Sequence, residues 1–348
     1  MPDAAMTLVR QSIIAVIVAA SVPALAISQR TFVSGQGSDV AACSITAPCR
    51  SFAAAIAQTI VGGEVIVLDS AGYGPVTITQ SVTITAPPGV YAGISVPLTT
   101  PNGVFVNAPS GTVLLRGLTI NSTGGTYGIY FANGALTIER CRISGFQYAG
   151  IIQIAGVMTV RDTVISDGGP LSTGATVGTA SATFDGVSVE RTYFGVRAVG
   201  TLAMRASTIS ETMIGLQVLS GAIVALDGVT ISSAAGGAGM TANNYTAGTS
   251  INVQIVRSQF VNSSYGISAD GVAGSVSNVQ LTDSLISNAA VAGVTTSGTA
   301  LAALQGNTIV NNGIGLNSTN DNMYTLQNNQ VFLNTTNISG LVSPISSK

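Results

Sequence analysis

Short alternations of apolar and polar residues recur along most of this chain, and they fall into three sets. One set opens on a glycine: Gly128–Phe131, Gly150–Ile154, Gly195–Val199, Gly215–Leu219, Gly266–Ala269, Gly293–Thr296 and Gly315–Ser318. A second ends on a charge: Leu136–Glu139, Met158–Arg161, Leu202–Arg205, Ile223–Asp227 and Val253–Arg257. A third follows that charge: Leu118–Ile120, Cys141–Ile143, Val187–Val189 and Val229–Ile231. Period-two alternation sends one side chain inward and the next outward, the signature of a half-buried strand. Three such strands recurring about every 23 residues predict an all-β repeat fold, a single-stranded parallel β-helix. This is a solenoid of about ten to twelve coils with three short strands per coil, each coil burying its apolar face against its neighbours.

The charges themselves form a pattern. Arg116, Glu139, Arg161, Asp185, Arg205, Asp227, Arg257 and Asp283 recur once per coil at intervals of 23, 22, 24, 20, 22, 30 and 26 residues, with alternating sign. Equivalent residues of stacked coils lie about 4.8 Å apart, where like charges repel and opposite charges attract. The alternation therefore predicts a structural ladder of ion pairs running along the solenoid. Asn262, Asn288, Asn312 and Asn334 recur at the end of the third strand and predict a column of stacked amides.

A solenoid needs its open ends covered. Residues 51–60 read as a capping helix, with Ser51 as N-cap and Phe52, Ile56 and Ile60 on one side. Gly62 to Asp69 then reads as the first strand, and the four prolines between Ala86 and Gly103 predict a loop. The division expected is a signal peptide over 1–26, an N-terminal cap over 27–62 and the β-helix over 63–348. Arg10, the apolar run Ile13–Ala20 and Pro23–Ala26 compose the export signal. Its alternative is a membrane anchor, for which the run is short. Export to the periplasm, the cell surface or the extracellular space follows, with no membrane span after cleavage.

Composition narrows the function. Charged residues make up 7% of the 348 and the net charge is −2, which argues against a nucleic-acid partner. Histidine is absent, which removes Ser-His-Asp hydrolysis, Cys-His nucleophiles and histidine-bound metal. Cys43 and Cys49, six apart around Pro48 in an exported chain, predict a local disulfide. Cys141 lies in an apolar strand and reads as a buried thiol.

The stretch Thr31–Asp39, then Pro48–Phe52, Ala55–Ile56 and Gly63–Val67, resembles the opening of the pectate-lyase-like right-handed β-helix superfamily, and the repeats cover most of the remaining chain. The resemblance implies right-handed winding. It leaves activity open, because the superfamily holds lyases, hydrolases, esterases and epimerases as well as exported proteins with no assigned reaction. The polygalacturonase pattern of clustered aspartates, His-Gly and Arg-Ile-Lys is not matched: histidine is missing and the one lysine is Lys348. No cofactor is expected. Calcium enters only under a lyase reading, and no D-x-D or comparable acidic spacing is present for it.

Two groups of candidate site residues remain. Asp167, Arg191 and Glu211, each six residues after a ladder charge, project with Glu190 from one turn region across three coils. They read as a second alternating ladder, or as a polar site in which Arg191 meets a substrate carboxylate and Glu190 or Glu211 acts as acid or base. Tyr127, Tyr148, Tyr193 and Tyr265 fall one or two positions before the recurrent glycine, as turn packing or as a platform for a sugar ring. The expectation is a non-catalytic scaffold or surface module binding a polysaccharide or cell-surface glycan. The alternatives are an enzyme acting on acidic polysaccharide, either lyase or glycoside hydrolase, and a self-assembling matrix or fibre component.

Overall fold

The computed structural model describes residues 27–345, apart from the side chains of 233–235; the export signal expected over 1–26 lies outside the described residues. Over that range the chain winds about twelve parallel turns with almost no helix. Three parallel sheets run along the winding axis. Sheet A carries the charge-ending strands, so Arg116, Glu139, Arg161, Asp185, Arg205 and Asp227 stand opposite one another in unbroken register. Sheet B holds the strands that follow, such as Arg142–Ser144 and Val164–Ser166, which pair in register. Sheet C holds the glycine-led strands, such as Ala149–Gln153 paired with Thr173–Val177. Inward positions stack rung on rung: Ile138, Val160, Phe184, Met204, Leu226 and Ile255 are each at most 1% exposed.

The ladder is not one continuous register. Asp227 pairs with Val256, and Val256 with Thr282, so Arg257 and Asp283 stand one position past the column. There they take left-handed backbone, at φ 47° and 48°, in the corner that Gly228 occupies one coil earlier. Ion pairs form at Arg116–Glu139 (2.9 Å), Arg161–Glu139 (3.2 Å) and, across the slip, Arg257–Asp227 (2.6 Å). Asp185 and Arg205 are in register, yet neither makes an ion pair among the described residues.

A buried column that sequence reading missed sets the register instead. Thr163, Ser207, Ser258, Ser284 and Asn307 sit at the start of sheet B, each accepting a backbone N–H from the preceding coil at 3.0–3.3 Å. The Thr163, Ser207, Ser258 and Ser284 hydroxyls each donate to the carbonyl two residues before them. The charge stands two residues before this hydroxyl in the earlier coils and one before it at Arg257 and Asp283. A buried unpaired N–H costs more than an exposed ion pair returns, so the hydroxyl wins. The asparagine column is likewise two columns. Asn262 and Asn288 bond at 3.3 Å on the surface, whereas Asn312 is buried and bonds Asn334 at 2.9 Å.

The N-terminal cap departs from expectation. The helix is Phe52–Ala57, with the Ser51 hydroxyl accepting from the Ala54 N–H. Ile60 belongs to the strand Thr59–Val67, because this strand pairs in parallel with Ser28–Val33 and draws the chain out of the helix at Gln58. The coil stack therefore begins before residue 63. The stretch from Ala86 to Gly103 contains a strand, Ala92–Pro97, which pairs with Leu118–Thr123 while its proline sits at the strand end. Cys43 and Cys49 are bridged. No helix among the described residues is long and apolar enough to cross a membrane.

Two carboxylates clamp this cap. Asp39 accepts from the Arg50 and Ser51 N–H groups at 2.8 Å and from the Ser51 hydroxyl at 2.9 Å. Asp69 accepts from the Gly35 N–H and the buried Tyr73 hydroxyl at 2.7 and 2.8 Å, and from Ser34. The Gly35 N–H and the Ser34 hydroxyl hold the Asp69 carboxyl below its ordinary 3.8. A lowered folded-state value means that its stabilisation is complete above the ordinary value and fades as pH falls through the lowered one. Asp69→Asn should therefore lower the urea midpoint at about pH 6 and converge toward wild type as pH falls well below the ordinary 3.8. An equal gap across that range would remove the carboxylate from the clamp.

Candidate functional site

The sheet B segments ending at Ser166, Glu190 and Ser210 are each followed by one left-handed residue, so Asp167, Arg191 and Glu211 occupy that corner on three consecutive coils at φ 58°, 53° and 53°. Arg191 stands in the middle. Its Nε meets Asp167 Oδ1 at 2.6 Å, its Nη2 meets Glu190 Oε1 at 2.7 Å, and its Nη1 lies 4.0 Å from Glu211 Oε2. Ser166 donates a further bond to Asp167 at 2.7 Å. Hydrogen bonds from Arg191 and Ser166 hold the Asp167 carboxyl below its ordinary value, and the carboxylates in turn raise the Arg191 guanidinium above its own.

Chemically the cluster is a closed ion-pair network. A carboxylate held ionised is a poor general acid, and a guanidinium at the centre repels a cation. Among the described residues no group of three or more acidic, cysteine or histidine side chains is arranged to hold a metal ion. Cys141 is buried, and its burial pushes the thiol up to about 11, which suits a core residue.

The tyrosines do not form one cluster. Tyr127 and Tyr148 touch edge to face at 5.6 Å, but Tyr193 packs on Phe194 at 4.8 Å two coils beyond Tyr148, and Tyr265 lies beyond both. Tyr127 and Tyr265 start strands of sheet C, while Tyr148 and Tyr193 stand one position earlier, so two columns are involved. The structure adds residues that sequence reading passed over. Tyr130 contacts Tyr127 at 5.4 Å and Phe105 at 5.5 Å, which makes a run of four rings, Phe105, Tyr130, Tyr127 and Tyr148, over three coils. Burial, with Tyr148 and Tyr130 nearby, raises the Tyr127 hydroxyl above its ordinary 10.

Phe105 and Tyr130 belong to a longer column on the outer face of sheet C. Registered above them stand Ile152, Thr176, Arg197, Gln217, Thr241, Ser268, Thr295 and Asn317. The face is aromatic toward the N-terminus and carries hydrogen-bonding groups beyond it. Arg197 lies over the Phe194 ring at 4.9 Å and donates to Gln217 at 2.8 Å. The signal was present in the sequence: each of these residues lies two positions after the recurrent glycine, the next outward site of its strand.

The fold defines a class, the right-handed parallel β-helix. A family model described as "Right handed beta helix region" matches residues 102–260. Among solved structures, the A-module of a mannuronan C-5 epimerase from Azotobacter vinelandii aligns at TM-score 0.65 and 17% identity, over 82% of this chain and 91% of that one. The catalytic unit of an alpha-1,3-glucanase from Streptomyces thermodiastaticus aligns at TM-score 0.50 and 15% identity, over 84% and 63%. Tailspike protein 2 of bacteriophage CAB120 aligns at TM-score 0.50 and 13% identity, over 78% and 39%. At these identities the likeness is one of fold. No curated protein sequence matches the chain.

Proposed function

We propose that this chain is an exported polysaccharide-binding β-helix, working at a cell surface or outside the cell, with the outer face of sheet C as its binding surface. The observation that carries this reading is the four-ring run Phe105, Tyr130, Tyr127 and Tyr148, with Arg197 and Gln217 further along the same face. Partly exposed aromatic rings offer apolar faces for the C–H side of a sugar ring. The polar groups beyond them recur once per coil, a spacing suited to a polymer lying along the axis. The epimerase and the glucanase that share the fold carry names of polysaccharide chemistry, which supports a glycan ligand.

The test is equilibrium binding of the purified protein to a panel of neutral and uronate polysaccharides, with and without calcium. Phe105→Ala/Tyr130→Ala should weaken binding about tenfold or more while leaving the fold intact, since hot spots at interfaces are commonly aromatic. Unchanged binding in the double variant, or no binding at all, would sink the proposal. A second reading, catalysis on acidic polysaccharide, has one observation in its favour: carboxylates converging on Arg191. Release of unsaturated products or reducing ends that vanishes in Glu190→Gln and Arg191→Ala would establish it in place of the first.

A further inference from the structure

One left-handed residue per coil turns the chain from sheet A to sheet B, and near the N-terminal end the segment Ala86–Val90 overhangs that corner. Beneath it lies an open notch of about 440 Å³, lined among others by Thr85, Pro87, Pro88, Val90, Arg116 and Arg140. It is on a different corner of the coil from the aromatic face and does not depend on it.

Three observations bear on what the notch could hold. The first is charge. Arg116, Arg140, Arg142 and Arg161 are four of the twelve basic residues of a chain of net charge −2, and they fall on three successive coils against Glu139 and Asp162. Glu139 is shared by Arg116 and Arg161, so the corner stays positive.

The second is that Arg140 makes no ion pair and no side-chain hydrogen bond among the described residues. Asp162, at the equivalent corner one coil on, leans away: a Cβ at Gly186 of the following coil would lie 2.8 Å from its Oδ1. Arg116 gives Nε and Nη2 to Glu139 at 3.0 and 2.9 Å, which leaves Nη1 without a partner. The third is Thr85, whose hydroxyl is out of contact with solvent and has no hydrogen-bond partner.

A free arginine on an open surface means little, because water serves it well. Here the guanidinium borders a concave wall instead. Pro87 and Pro88 carry no N–H, and the Val90 N–H is taken by the Pro87 carbonyl, so the wall these side chains form is apolar. The side-chain donors at the notch are the Arg140 fork and Arg116 Nη1, with the unpartnered Thr85 hydroxyl behind its lining. Guanidinium forks match the paired oxygens of carboxylate and sulfate groups. We propose that this notch is an anion-binding site for a carboxylate- or sulfate-bearing ligand whose apolar body rests on Pro87, Pro88 and Val90.

Calorimetric titration of the full chain with glucuronate, sulfate and uncharged glucose tests it. Saturable binding is expected for an anion and not for glucose. Arg140→Gln should weaken it about tenfold, whereas Arg142→Gln, which removes the same charge outside the notch, should change it less than about threefold. Arg140 has no partner to lose, so its variant should unfold at the wild-type temperature. Glucuronate binding more tightly than sulfate assigns a carboxylate ligand that uses the proline wall; the reverse order assigns a sulfated one. Equal losses in the two variants would reduce the effect to diffuse charge and overturn the site, as would an absence of saturable binding by either anion.

Discussion

Gly195→Ala should lower the unfolding free energy by about 3 kcal/mol or more, one of the two largest losses expected from a single change in this chain. A Cβ at Gly195 would lie 2.4 Å from the Gly215 carbonyl oxygen of the next coil and 2.4 Å from Ile209 Cγ2. The obstacle is the close approach of one coil to the next, since no left-handed backbone is required at this position. Backbone cannot yield there without opening the hydrogen bonds of sheet C. The same contact repeats along the column: Gly150 faces the Gly174 carbonyl at 2.7 Å, Gly174 that of Gly195 at 2.6 Å, and Gly215 that of Gly239 at 2.6 Å. Gly72→Ala is the matched control, because its Cβ would find no heavy atom nearer than 3.9 Å. Urea denaturation followed by circular dichroism should separate the two variants widely. A Gly195→Ala protein as stable as Gly72→Ala would show that the coils can part at this corner at little cost.

Asn307→Leu should cost a comparable amount, about 3 kcal/mol, with shape nearly preserved. Asn307 is fully buried; its Oδ1 accepts the Ser284 N–H at 3.0 Å, and its Nδ2 donates to the Leu281 carbonyl and to Asn329 Oδ1, both at 2.8 Å. Leucine leaves the Ser284 N–H buried and unpaired, at about 1–3 kcal/mol for each such group. Asn307→Ser should cost less than half as much, because the serines at the equivalent positions already accept this N–H: Ser258 from Val229 and Ser284 from Ser258. The comparison isolates the hydrogen bond from the packing. Serine and leucine variants of equal stability would mean that the column fills space and does not set register.

Much of the architecture could be read from spacing. Glycine-led and charge-ended runs placed many strands of the three sheets, because side chains alternate strictly along a strand and stacked coils repeat their environment. Ser51 marked the helix start through its hydroxyl, which accepts a helix N–H. The disulfide pair was legible from separation and setting. The helix end was not, since what stops it at Ala57 is the pairing of Thr59–Val67 with a strand some thirty residues earlier.

The candidate sites show the same division. Asp167, Arg191 and Glu211 share a corner because each follows its ladder charge by six residues, and this spacing is visible in the chain. That Arg191 reaches Asp167 and Glu190 at 2.6 and 2.7 Å while Asp185 and Arg205 stay apart is a matter of side-chain direction and corner geometry. The four tyrosines looked alike in sequence. Only their different columns and heights along the axis separate Tyr127 and Tyr148 from Tyr193 and Tyr265, and bring in Phe105 and Tyr130.

Local periodicity alone dictated that this chain must coil, how many strands each turn carries and which side chains face inward, because those follow from the pleat and from burial of the apolar set. Register at Arg257 and Asp283, the identity of the buried hydroxyl column and the company each exposed group keeps were decided by the assembled solenoid. Where a surface charge and a buried N–H compete for one register, the buried group prevails, and its partner lies a full coil away in sequence.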